Sequence, residues 1–233
     1  MVYRAATRAT LDVAESFPGV LANIARYHLL GRGPFTSCVA EAGGFIRTEP
    51  DLPAPDMQYH FAPLLFLDHG FTREKGCFCS LGPTLLTPAS RGEVRLASAD
   101  PTRPPRIDPR YLSEESDVRA LVRGYRIGRD ILESDDFSRW LADAYLPPER
   151  LVGEKETADY IRAKADHVYH PVGTARMGRD DDPDAVTDTE LRVRGIEGLR
   201  VADASVMPTI TRGNTNAPTM MIAEKAAALI SQR

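Results

Sequence analysis

Residues 77–97, Cys-Phe-Cys-Ser-Leu-Gly-Pro-Thr-Leu-Leu-Thr-Pro-Ala-Ser-Arg-Gly-Glu-Val-Arg-Leu-Ala, decide the fold class. Cys77 to Thr87 is a strand-like run. In Glu93 to Ala97, Val94 and Leu96 alternate with Glu93, Arg95 and Ala97, the period of a half-buried strand. Pro88 to Gly92 between them carries turn residues, so the spacing predicts an antiparallel pair. A third strand-like segment, Met57 to Phe66, follows a proline-rich loop at 49–56. On the other side, the proline-rich residues 101–110 must run extended. A helix is then expected from near Ser113, with Glu114, Glu115 and Asp117 at its positive end and Val118, Leu121, Val122 and Tyr125 as its core stripe. Two further helices are expected over 11–31, interrupted at Pro18-Gly19 and stopped at Gly31 to Pro34, and over Glu154 to Lys164. Strands and helices fall in separate blocks. The fold class is therefore α+β, an antiparallel sheet backed by helices over residues 1–165. After residue 166 the pattern changes to short strands at Leu191–Arg194 and Leu199–Ala202 around Gly195 and Gly198, with a terminal helix after Pro218.

The 233 residues carry 33 acidic side chains against 29 Lys and Arg, a net charge of −4. The cations are interspersed with acids, as in Arg123, Arg126, Arg129 and Asp130, so no nucleic-acid partner is expected. Cys38, Cys77 and Cys79 are an odd set. The Cys77-x-Cys79 pair offers too few ligands for a structural zinc, so the thiols are read as reduced, with no metal. No apolar run is long enough to span a bilayer and no signal peptide opens the sequence, which makes a cytoplasmic protein the expectation.

Two segments stand apart from this background. The first is Tyr169-His170-Pro171-Val172-Gly173-Thr174-Ala175-Arg176-Met177-Gly178. The second runs Val201-Ala202-Asp203-Ala204-Ser205-Val206-Met207-Pro208 and continues to Gly213-Asn214-Thr215-Asn216-Ala217-Pro218-Thr219. Each joins a short apolar stretch to small and polar residues, which lets backbone approach a flat ligand. His170, held before a proline, has the chemistry to take a proton from an alcohol, and equally that of a rim histidine with a satisfied hydrogen bond. Asn214 and Asn216 precede a helix. They suit simple capping, and they also suit a helix N-terminus that stabilises negative charge on a ligand. Spacing alone leaves both readings open.

In order and spacing, these motifs resemble the C-terminal signature of the glucose–methanol–choline (GMC) oxidoreductases, choline-dehydrogenase-like in style. Val39-Ala40-Glu41-Ala42-Gly43-Gly44-Phe45 and Ser90-Arg91-Gly92-Glu93-Val94 extend the likeness upstream. The resemblance implies FAD-dependent oxidation of a small-molecule alcohol, a CH–OH donor, to a carbonyl, with hydride passing to flavin N5. It places His170 as the base and Asn214 as the second catalytic residue, bonding the substrate oxygen. Asp203 and Ala204 would lie along the ribityl and phosphate part of FAD, Thr215 and Asn216 beside the pyrimidine end of its ring, and Tyr169 against the ring. It also implies a partial substrate-binding region over 1–165 and, over 166–233, the C-terminal segment of an FAD-binding domain carrying the catalytic pair. Tyr59, Phe61, Phe66 and Phe71 are candidates for an aromatic cage around a quaternary ammonium.

One feature of that family is missing. No Gly-x-Gly-x-x-Gly element opens a helix in this sequence, since Gly31-x-Gly33 runs into Pro34. The expectation is a C-terminal portion whose partner is the missing N-terminal FAD-binding half. The alternative is an inactive truncated fragment or interaction module that exposes an apolar surface over 199–230. A serine hydrolase is disfavoured because Ser205 lacks the flanking glycines of a nucleophile elbow.

Overall fold

The structure, a computed structural model, describes residues 1–8, 10–12 and 17–231. In chain order the elements are β1 (Val2–Ala5), α1 (Phe17–Leu30), β2 (Ala42–Ile46), β3 (Met57–Ala62), β4 (Phe78–Leu85), β5 (Glu93–Arg95), β6 (Arg106–Asp108), α2 (Glu115–Leu132), α3 (Asp135–Ser138), β7 (Leu141–Leu146), α4 (Glu154–Lys164) and α5 (Asn216–Ser231). They divide into two compact units. One is built from Met1–Leu85 and Val118–Lys164, the other from Leu86–Asp117 and Ala165–Arg233.

The first unit holds a five-stranded sheet in the order β2-β3-β4-β1-β7, antiparallel throughout. Its core follows from the period-2 alternation of strand side chains. Tyr3 of β1, Met57 and Tyr59 of β3, and Cys79 and Leu81 of β4 form one buried cluster with Leu132 of α2, and Leu121 and Ile127 pack against it. The neighbouring residues Val2 and Phe78 belong to a second cluster with Leu65, packed by Tyr145 and Leu146. Full burial of a side chain such as Phe78 or Met57 stabilises by about 1.5–3 kcal/mol. The expected stripe of α2 is the buried one: Val118, Val122 and Tyr125 are buried and Leu121 is half-buried. The Tyr59 hydroxyl donates to the Gly124 carbonyl at 2.6 Å and fixes the helix on the sheet.

The α+β class is what the structure shows, but the expected hairpin of 77–87 with 93–97 does not form. Strand β4 pairs with β3, Met57 opposite Leu85 and Ala62 opposite Ser80, and on its other side with β1. Strand β5 pairs instead with β6 in a two-stranded sheet of the second unit, Val94 opposite Ile107. The cause is Asp117, whose carboxylate accepts from the amides of Ala89 and Ser90 at 2.9 and 2.8 Å and from the Ser90 hydroxyl at 2.6 Å. These bonds tie 89–90 to the first turn of α2, so 88–92 cannot close a tight turn.

Helix α1 spans Phe17–Leu30, so Pro18 sits in its first turn, where a missing N–H costs nothing. The part of the expected helix over 13–16 lies outside the described residues. Helix α4 spans the expected Glu154–Lys164. Residues 191–194 and 199–202 form a turn with one bridge, Arg192 to Arg200, rather than two strands. Among the described residues no helix is long and apolar enough to cross a membrane.

Candidate active site

The two motif segments meet within the second unit. Residues 173–177 run beside 204–206, with the amides of Gly173, Ala175 and Met177 donating to the carbonyls of Ala204, Ser205 and Val206 at 3.3, 2.9 and 2.8 Å. Gly173 has φ +82°, a conformation that favours glycine, and a Cβ there would make a tight 3.2 Å contact with the Met207 carbonyl oxygen. Asp203 caps the short 3₁₀ turn Ala204–Val206. Its carboxylate accepts from the Ser205 amide at 2.8 Å and the Ser205 hydroxyl at 2.5 Å. Ser205 is thereby engaged in a local cap.

Helix α5 completes the arrangement. Its first helical bond runs from the Thr219 amide to the Thr215 carbonyl at 3.0 Å, and the Thr219 hydroxyl donates to the same carbonyl at 2.7 Å. The capping position thus falls on buried Thr215, bracketed by Asn214 and Asn216, rather than on either asparagine. From the helix, Ile222 and Ala226 reach a core shared with Leu191, Val206 and Met207, against which Val172, Met177, Val201 and Ala204 pack. The His170, Asp203 and Asn214 segments therefore converge on one hydrophobic core. No acidic side chain lies in the first turn of α5, which leaves its positive end uncompensated there.

His170 is half-buried, between exposed Tyr169, whose φ is +62°, and Pro171; Asn214 is exposed. Two arginines, Arg176 within the first motif segment and Arg194 outside both, shape the surrounding loop, and neither was assigned a role from the sequence. Arg176 grips Asp182 through two bonds of 2.5 and 2.9 Å, which lower the carboxyl pKa of Asp182. Arg194 donates to the carbonyls of Gly178, Arg179 and Asp182 at 3.2, 2.5 and 2.9 Å. The one available signal was that an arginine offers several donors in a fixed fork, able to gather carbonyls that belong to no regular element. Of the aromatic-cage candidates, Tyr59 is in the sheet core, its hydroxyl already bonded to Gly124. Phe61 is half-buried, edge-on to Phe137 at 5.3 Å, while Phe66 and Phe71 are exposed.

Residues 88–223 match the family model of GMC oxidoreductase. The chain belongs to the GMC oxidoreductase family. It is 41% identical over 228 residues to alcohol dehydrogenase [acceptor] of Pseudomonas putida, covering 97% of this chain and 41% of that protein. Mouse (Mus musculus) mitochondrial choline dehydrogenase is 43% identical over 192 residues, covering 82% of this chain and 32% of the relative. Among solved structures, formate oxidase of Aspergillus oryzae superposes with a TM-score of 0.89 at 28% identity, covering 99% of this chain and 45% of the other. Pyridoxine 4-oxidase superposes with a TM-score of 0.80 at 26% identity, covering 100% and 41%. The chain thus spans between about a third and a half of the length of these relatives. GMC oxidoreductases are FAD-dependent flavoproteins, and the fold here is that of their C-terminal part.

Proposed function

We propose that the chain supplies the catalytic end of an FAD-dependent oxidoreductase that converts an alcohol to a carbonyl. The observation that carries this reading is the shared core under the His170, Asp203 and Asn214 stretches, which anchors the backbone next to His170 and the start of α5 in one unit. FAD, when bound, supplies the hydride acceptor. In this reading His170 accepts the proton of the substrate hydroxyl as the carbon–hydrogen bond breaks, and Asn214 bonds the substrate oxygen and orients it. The acid-free N-terminus of α5, with Thr215 and Asn216, would hold the pyrimidine end of the flavin ring and favour negative charge there. The Asp203–Ala204 turn fits the cofactor's ribityl and phosphate part, because small residues leave its backbone accessible. Tyr169, exposed next to the base, would lie against the ring in this reading.

The reading includes a partner, an N-terminal dinucleotide-binding half. Helix α5 supports it: Met220, Met221 and Ile230 are 55%, 61% and 52% exposed, on a helix whose only charged residues are Glu224 and Lys225. Such a helix is normally covered by further protein. The first unit would then contribute to the substrate-binding region.

The test is co-expression with a dinucleotide-binding half, followed by flavin reduction by an alcohol. His170→Ala should slow reduction by about 10²–10⁴-fold, the usual scale for a positioned general base, with flavin content retained. Asn214→Ala should slow it less. Reduction at the parent rate in His170→Ala would remove the assignment.

A further inference from the structure

His167, which lies outside the motif segments, contacts the turn that precedes His170. Tyr169 adopts a left-handed backbone, φ +62°, uncommon for a bulky side chain and sustained only where the surroundings over-determine it. Two contacts do so. The Tyr169 amide donates to Nδ1 of His167 at 3.0 Å, and the Tyr169 ring meets the His167 ring edge-on, centroids 4.9 Å apart at 85°. On its other side the His167 ring lies 6.3 Å from that of Tyr111, tilted by 32°, in the same unit. The His167 amide donates to Asp166 Oδ1 at 2.7 Å. Because Nδ1 accepts, the ring proton of neutral His167 sits on Nε2, 4.0 Å from that carboxylate oxygen. His170 itself is restricted to extended backbone by Pro171. The backbone that carries its imidazole is thus restrained by the proline after it, which is covalent, and by the left-handed turn before it, to which His167 contributes a hydrogen bond and a ring contact.

We propose that His167 is a positioning residue for His170: its imidazole locks Tyr169 in the left-handed conformation that aims the base. The proposal rests on the reading of His170 as the base, and goes beyond it by assigning the control of that base to a side chain three residues upstream.

Two substitutions separate the hydrogen bond from mere bulk. His167→Ala removes the acceptor. His167→Asn restores one, since Oδ1 of asparagine bonds the amide two residues on in ordinary Asx turns. In NMR spectra of the 233-residue chain, Cα and Cβ shifts of Tyr169 report its backbone state, and ring signals of His170 report its surroundings. Amide protection at Met177, bonded to Val206, serves as the control for an intact core. His167→Ala should move Tyr169 out of the left-handed pattern and shift the His170 ring signals with Met177 still protected, and His167→Asn should return both. In the flavin-loaded enzyme His167→Ala should lower kcat by about 10–10²-fold with KM nearly unchanged, the scale for a misplaced reacting group, and His167→Asn should recover most of it. Tyr169 shifts that stay in place in His167→Ala overturn the proposal. So does a moved Tyr169 with unchanged kcat in an enzyme that His170→Ala inactivates. If His170→Ala itself leaves turnover intact, the proposed base fails, and the NMR arm still decides whether His167 holds the turn.

Discussion

Replacing Ile222 by alanine tests whether one core holds the His170, Asp203 and Asn214 stretches together. Ile222 is 7% exposed and packs with Leu191, Val206, Met207 and Ala226. The truncation removes three carbon groups, a transfer loss of about 2.4 kcal/mol at about 0.8 kcal/mol each. A cavity term adds to this, because Val206 is tied to Met177 through a 2.8 Å backbone bond and cannot collapse freely into the gap. Alanine's better helix propensity returns a few tenths of a kcal/mol. The expected cost is about 3–4 kcal/mol, inside the range for buried isoleucine. Native-state hydrogen exchange at the amides of Ala175 and Met177 reads it locally, and exchange there should speed up by about 10²–10³-fold. Met221→Ala, on the same helix but 61% exposed, is the control and should stay within about 0.5 kcal/mol of the parent. Equal exchange at Ala175 and Met177 in the two variants would refute the shared core, and with it the structural basis for placing His170 and Asn214 in one site.

Gly173→Ala should cost about 1–3 kcal/mol, because it combines left-handed strain with a contact on the Met207 carbonyl, and thermal unfolding of the second unit should show it. Exposed Cys38 should alkylate before buried Cys79, whose thiol is pushed up to about 11 by burial, and peptide mass spectrometry over a labelling time course gives the order. Burial raises the phenols of Tyr3 and Tyr160 from 10.0 to about 12, so above pH 10 the folded first unit holds protons that the unfolded chain has lost. Its stability is full below pH 10 and falls as pH rises towards 12, which urea midpoints across that interval will show, and a flat profile there would contradict the burial of these rings.

What the sequence made legible were segments whose local pattern and tertiary role agree. Helix α2 carries a 3.6-period stripe, and that stripe is the one that covers the sheet. The motif residues were legible as a group because their small and polar types departed from the surrounding pattern. Strand β2 was invisible because Gly43-Gly44 looks like a turn. Its reason is tertiary: a Cβ on Gly43 would lie 2.3 Å from the Tyr59 carbonyl, so the strand can pair with β3 only with glycine there. Strand β7, Leu-Ala-Asp-Ala-Tyr-Leu, has no clean alternation and exists because β1 offers it an edge. The pairing of β5 depended on Asp117, 24 residues beyond Glu93, a capture that no local pattern announces. For the candidate site, the sequence named His170 and Asn214 but not His167, since the role of a hydrogen-bond acceptor two residues before a left-handed turn appears only once the turn is seen.

A ribosome releases this chain in an order that matches neither unit. The first unit takes Met1–Leu85 and is finished by Val118–Lys164, and the intervening residues belong to a unit whose remainder follows Lys164. Until β7 appears, β1 is an open sheet edge, and Val2 and Phe78 lack the cover of Tyr145 and Leu146. At about 5–20 residues per second, the delay between Leu85 and Leu146 is roughly 3–12 s, in which an apolar, unpaired edge stays exposed to every neighbouring nascent chain. The interleaving is one-sided in its consequence: a single cut after Lys164 leaves the first unit whole, but the second unit cannot be released whole by any single cut, because Leu86–Asp117 lies between the two segments of the first along the chain.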